Sequence, residues 1–129
     1  MKTKKFKSLT IQFLAHDDIS RLSSSEKIKK LLKLVLDNNL ILLQGKLKSE
    51  EEVRLIEDTM VLVGTIKNFK GIELAVLSSK EKSQNFGDIF KTRLAKFLGV
   101  ENAITIIGPA LIVREIKKDP SKIQLLLEK

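Results

Sequence analysis

The sequence predicts a single α/β (or α+β) domain with the order β-α-β-α-β-α-β-α, a four-stranded sheet with helices mainly on one face in a two-layer sandwich. Three observations lead there. Four short apolar runs alternate with stretches of helical periodicity across the 129 residues. Two of those stretches open with Ser-x-x-Glu, the signature of a capped helix start. Finally, the first and third runs carry Thr10, Gln12 and Glu73, polar residues that a sheet covered on both faces would not be expected to carry.

Taken in order, Leu9, Ile11 and Phe13 alternate with Thr10 and Gln12, the period-two pattern of a strand near 8–14. Asp17-Asp18 opens a short polar stretch, and Ser23 with Glu26 forms a capping box. Ile28, Leu31, Leu32 and Val35 then recur at helical spacing over 24–37, with Asn38-Asn39 as a left-handed stop. Leu40-Ile41-Leu42-Leu43 is a buried strand near 39–45. A second box, Ser49 with Glu52, opens a helix over 49–64 whose inner stripe reads Val53, Ile56, Met60 and Val63. Strands follow near 71–78 and 103–107, the latter broken by Gly108-Pro109. Between them, Ile89, Phe90, Leu94, Phe97 and Leu98 suggest an amphipathic helix near 88–98, although its charges also permit a mobile loop. After Pro109, residues 110–118 read as a helix with proline at its first position, or as one arm of a hairpin turning at Asp119-Pro120. The four-residue spacing of Ile112 and Ile116 favours the helix.

Composition narrows the function classes. There is no cysteine, which excludes a disulfide framework, a thiolate metal site and a cysteine nucleophile. A single histidine cannot build a histidine-rich metal cage. No apolar run approaches a membrane span, and Met1-Lys2-Thr3-Lys4-Lys5 does not lead into a signal-peptide pattern, so a soluble, cytoplasmic protein without membrane association is expected. The net charge is +8. Seven of those eight charges fall in residues 1–14 and 80–96, carried by Lys2, Lys4, Lys5 and Lys7 and by Lys80, Lys82, Lys91, Arg93 and Lys96. Such clustering serves solubility, or it is the electrostatic footprint of a polyanion partner.

Catalytic signatures are weak. His16-Asp17-Asp18 follows the first strand, where α/β active sites often lie, and could bind a metal or move a proton. Adjacent residues point in different directions, however, and a capping aspartate explains the same sequence. Ser23-Ser24-Ser25 lacks the glycines of a nucleophile elbow, and no glycine-rich phosphate loop occurs. Gly108-Pro109 before a helix could present amides to a phosphate, but the pair also simply makes a turn. The absence of Trp and Tyr argues against the aromatic platform of an RNA-recognition sheet, leaving lysine contacts to the phosphate backbone.

Leu9-Thr10-Ile11-Gln12-Phe13, Ser25-Glu26-Lys27-Ile28, Glu51-Glu52 with Ile56-Glu57, Ile106-Ile107-Gly108-Pro109 and Ile116-Lys117-Lys118-Asp119-Pro120 resemble a small archaeal family, a domain of unknown function. Its members are encoded near an Era-like GTPase and a zinc-ribbon protein. The resemblance spans nearly the whole chain, and it implies that 79–100 is a variable basic insertion. It supplies no catalytic residue, metal or cofactor. The expected function is a non-enzymatic basic module associated with RNA or the ribosome and working with a translation-type GTPase. The expected nucleic-acid contacts are the nine basic residues above. The alternatives are a protein–protein adaptor of an Era-like GTPase and, more remotely, a small enzyme centred on His16, Asp17 and Asp18.

Overall fold

The computed structural model describes residues 9–65, 71–78, 103–119 and 122. In chain order these form β1 (Thr10–Leu14), α1 (His16–Ser20), α2 (Ser24–Leu36), β2 (Asn39–Gln44), α3 (Ser49–Val63), β3 (Ile72–Ser78), β4 (Ala103–Pro109) and α4 (Ala110–Lys118). The strands make one mixed sheet of order β1-β2-β4-β3. β1 and β2 are parallel, while β4 runs antiparallel to both β2 and β3. The architecture is therefore α+β. The expected helix near 88–98 and the lysine-rich start lie outside the described residues.

β2 dictates the layers. Leu40, Ile41, Leu42 and Leu43 are all fully buried, and successive strand residues point to opposite faces. Leu40 and Leu42 pack with Ala75, Ile106, Val113 and Ile116, under α4. Ile41 and Leu43 pack with Ile107, Ile28, Leu31 and Leu55, under α2 and α3. Burying each such side chain contributes about 1.5–3 kcal/mol, so neither face of β2 can be left bare. Two long helices share one face as expected, and α4 covers part of the other.

The polar strand residues divide accordingly. Thr10 and Gln12 register with Asn39 and Ile41 on the α2 side of the edge strand. Glu73 registers with Gly108 on the α4 side. There its carboxylate accepts from Arg114 Nε at 3.4 Å and pairs with Lys117 Nζ at 3.6 Å. Thr10 and Gln12 on β1 and Glu73 on β3 thus lie on the two edge strands and on opposite faces, so they do not form one solvated face.

Local signals explain most boundaries. The Ser23 box forms: Glu26 N donates to Ser23 Oγ at 3.2 Å and Ser23 N to Glu26 Oε1 at 3.1 Å. α2 stops at Asn38, whose φ is +59°. Buried Asn39 then donates Nδ2 to the Leu34 carbonyl at 2.7 Å, satisfying a helix-end acceptor. The polar stretch after β1 is a short helix, α1, pinned by buried Ile19.

Three expectations are corrected. The α3 box is shifted by one residue: Lys48, not Ser49, is the N-cap, and its amide donates to Glu51 Oε1 at 2.9 Å. The inner stripe of α3 is Glu51, Leu55 and Thr59, whereas Val53 and Met60 are 56% and 67% exposed. Apolar periodicity misplaced this face because two inner residues are polar and satisfied in place, Thr59 Oγ1 donating to the Leu55 and Ile56 carbonyls. Third, β4 continues through Gly108 and Pro109, paired with Glu73 and Ile72. Gly108 permits this because a Cβ there would lie 2.6 Å from Leu40 Cδ1 and 3.3 Å from Leu40 Cα. The helix after Pro109 forms, with Pro109 as its N-cap.

In urea melts, Leu55→Ala should cost about 2–5 kcal/mol. Met60→Ala should stay within about 0.5 kcal/mol, the reverse of what apolar periodicity implies. Gly108→Ala should lower stability by about 1–3 kcal/mol, because the methyl group must displace Leu40 in the centre of the sheet.

Candidate functional site

The carboxyl ends of β1 and β2 meet the starts of α1, α2 and α3 at one end of the sheet, with Ala103 of β4 beside them. Gly45, at φ +99°, donates its amide to the Ala103 carbonyl at 2.9 Å. The carbonyl of Gly45 accepts from buried Thr105 Oγ1 at 2.8 Å. His16, half-buried, donates its backbone N–H to Gln44 Oε1 at 2.9 Å. Asp18 accepts from the Ala15 amide at 3.2 Å, and both Asp17 and Asp18 are exposed. His16-Asp17-Asp18 is thus the first turn of α1, with Asp18 serving as its cap. Among the described residues no three His, Cys, Asp or Glu side chains converge on a metal-sized position.

The buried charge at this end is Glu51, 3% exposed. Its Oε2 accepts from Ser24 Oγ at 2.8 Å and lies 3.1 Å from Lys27 Nζ, both on α2. Its Oε1 accepts from Lys48 N at 2.9 Å and Lys27 Nζ at 3.3 Å. Burial pushes the carboxyl pKa up, but the Lys48 amide, the Ser24 hydroxyl and the Lys27 ammonium together hold it below the ordinary glutamate value. Every polar neighbour is an internal partner, so the arrangement is a clamp between α2 and α3. Glu26, at the α2 start, is likewise held low by the Ser23 amide and hydroxyl.

The basic residues expected to touch nucleic acid (Lys2, Lys4, Lys5, Lys7, Lys80, Lys82, Lys91, Arg93 and Lys96) all lie outside the described residues. The described framework itself holds twelve bases and twelve acids, so it is electroneutral. Its charge is nevertheless sorted. Lys29, Lys30 and Lys33 are exposed together on α2, opposite the buried Ile28, Leu31 and Val35. This row was legible as the polar face of an amphipathic helix. A net-charge sum hides it, because acids elsewhere among the described residues balance these lysines.

The family described as "Origin-associated protein OapB" matches residues 19–128. The chain belongs to the OapB family. No curated protein and no solved structure matches it. The match takes in α2, α3, all of the sheet except β1, and α4, and so the clamp and the lysine row both lie within the OapB region. None of the described helices is long and apolar enough to cross a membrane.

Glu51→Ala should destabilise by about 3–5 kcal/mol, since Lys27 would be left without its buried partner. Because the folded carboxyl titrates below its unfolded value, its contribution is present above the unfolded pKa. It disappears as pH falls through the lowered folded pKa. Glu51→Gln should therefore reduce the loss of stability on acidification when melts are compared at neutral and acid pH.

Proposed function

We propose that the protein is a non-enzymatic nucleic-acid-associated module of the cytoplasm that contacts the phosphate backbone of RNA through lysine and arginine. The observation that carries this reading is the partition of charge. The whole chain is +8, while the described residues are neutral, so the excess lies outside them. Lysines gathered in this way favour a polyanion through counterion release. Lys29, Lys30 and Lys33 add a row of three on a rigid helix, where their spacing is fixed by the α-helical repeat.

The family's description as origin-associated is compatible with a nucleic-acid partner and names no GTPase. The resemblance to an archaeal family encoded beside an Era-like GTPase and a zinc-ribbon protein supports a ribosomal setting with a translation-type GTPase nearby. In this reading His16, Asp17 and Asp18 have no chemical role beyond the turn they form.

The test is binding of fluorescent single- and double-stranded RNA oligonucleotides across a salt series. Lys29→Glu/Lys30→Glu/Lys33→Glu and, separately, Lys91→Glu/Arg93→Glu/Lys96→Glu should each weaken binding. Loss of three phosphate contacts should flatten the slope of log affinity against log salt by about 2–3. His16→Ala should leave binding unchanged. Wild-type affinity and slope in both triple variants would remove the polyanion reading and leave the adaptor of an Era-like GTPase in its place.

A further inference from the structure

α3 carries an apolar strip on the flank it turns away from α2. Val53, Ile56, Met60 and Val63 recur along it at steps of three, four and three residues, the spacing of a seam between paired helices. Val53, Met60 and Val63 are exposed. Glu51, on the other flank, holds Ser24 and Lys27 of α2. Val63 borders Gly71 at the start of β3, its Cγ2 being 3.7 Å from where a Cβ would stand, so the strip lies on the β3 side. There β3 is the outer strand of the described sheet. The Ala110 amide donates to the Gly71 carbonyl at 3.3 Å. This phase directs the backbone groups of Glu73, Ala75 and Leu77 at β4 and those of Ile72, Leu74 and Val76 outward. On the sheet face shared with Ile72 and Leu74, Val76 is 37% exposed. A helix flank and a strand edge thus form one wall.

This wall is complementary to itself. The strip has the same spacing read in either direction, so an antiparallel second copy sets Val53 against Val63 and Ile56 against Met60. β3 behaves likewise about Ala75. Antiparallel pairing with its own copy sets Leu74 opposite Val76, where backbone hydrogen bonds are exchanged. Ala75 then stands opposite itself at a closely spaced, non-bonded position that suits a small side chain. Glu73 falls opposite Leu77, so no like charges meet within the strand pair. A single two-fold axis perpendicular to the sheet satisfies both matches, because it reverses α3 and β3 together. We propose that two copies of the chain associate through this wall, joining their β3 strands into one continuous sheet with the two α3 helices packed across the axis. α3 and β3 are each about 22 Å long. Two stacked layers of that length present several hundred Å² per copy, approaching the roughly 800 Å² per partner of a stable dimer.

Sedimentation equilibrium of the nuclease-treated full chain should show monomer and dimer. Each copy carries +8, so added salt should tighten the association by screening that repulsion. Met60→Asp and, separately, Val76→Asp should each weaken dimerisation by at least about tenfold. Both side chains are exposed in one copy, so the fold should survive. Leu111→Asp, at an exposed position of α4 across the sheet, should leave dimerisation unchanged. Amide exchange at Leu74 and Val76 should slow as protein concentration rises. A chain still monomeric at its highest soluble concentration would overturn the proposal. So would a dimer that Met60→Asp and Val76→Asp leave intact, or one that Leu111→Asp disrupts equally. Association that loosens with salt would point to a bridging polyanion and also overturn it. None of these readouts involves added nucleic acid, so failure here is distinct from failure of the RNA-binding test.

Discussion

Burial of β2 on both faces is the constraint from which the other elements follow. Four consecutive apolar residues with no exposure cannot be protected by helices on one side alone. α2 and α3 cover Ile41 and Leu43, and α4 covers Leu40 and Leu42. The same demand explains Gly108. β4 must approach Leu40 more closely than a Cβ allows, and a glycine in a strand interior, ordinarily weakening, here permits the central pairing. It also places Pro109 where β4 ends and α4 begins, turning the chain directly onto the face that needs covering.

The second determinant is polar. Glu51 could have been an exposed acid in the favourable first turn of a helix. Instead it is turned inward, and its carboxylate takes two donors from α2 and one from its own helix start. A buried carboxylate is tolerated because each oxygen is satisfied, and one partner carries the opposite charge. This choice sets the rotation of α3. With Glu51, Leu55 and Thr59 inward, Val53, Met60 and their neighbours must face elsewhere. The exposure of Val53 and Met60 is thus a geometric consequence of the clamp.

These two features also mark the limit of what the sequence makes legible. Strand existence, the Ser23 box, the Asn38 stop and the helix after Pro109 were readable because local chemistry decides them. The first turn of α1 was readable as capping but not as a helix, since five residues are too few to show a period. The α3 face was misread because an apolar count cannot weigh a polar residue whose partners come from 24 to 27 residues away. The two-sided sheet was only half visible. Thr10, Gln12 and Glu73 look like one polar face until the register shows that they lie on different sides of two edge strands. Of the candidate site, the lysines of α2 were visible as the polar half of an amphipathic helix.

Charge and framework are therefore separable in this protein. Equal numbers of acids and bases among the described residues limit self-repulsion there, where like charges would lower stability. Many of those acids are engaged locally: Glu51 with Lys27, Glu73 with Arg114 and Lys117, Asp18 and Glu26 with helix starts. Such acids are positioned by the fold, and the carboxylate of Glu26 also feels the charge of Lys29. Lys29, Lys30 and Lys33 are exposed within this framework, because α2 buries its opposite face. A neutral, tightly packed framework carrying exposed bases on one face of α2 can lose or reverse those bases without losing its fold.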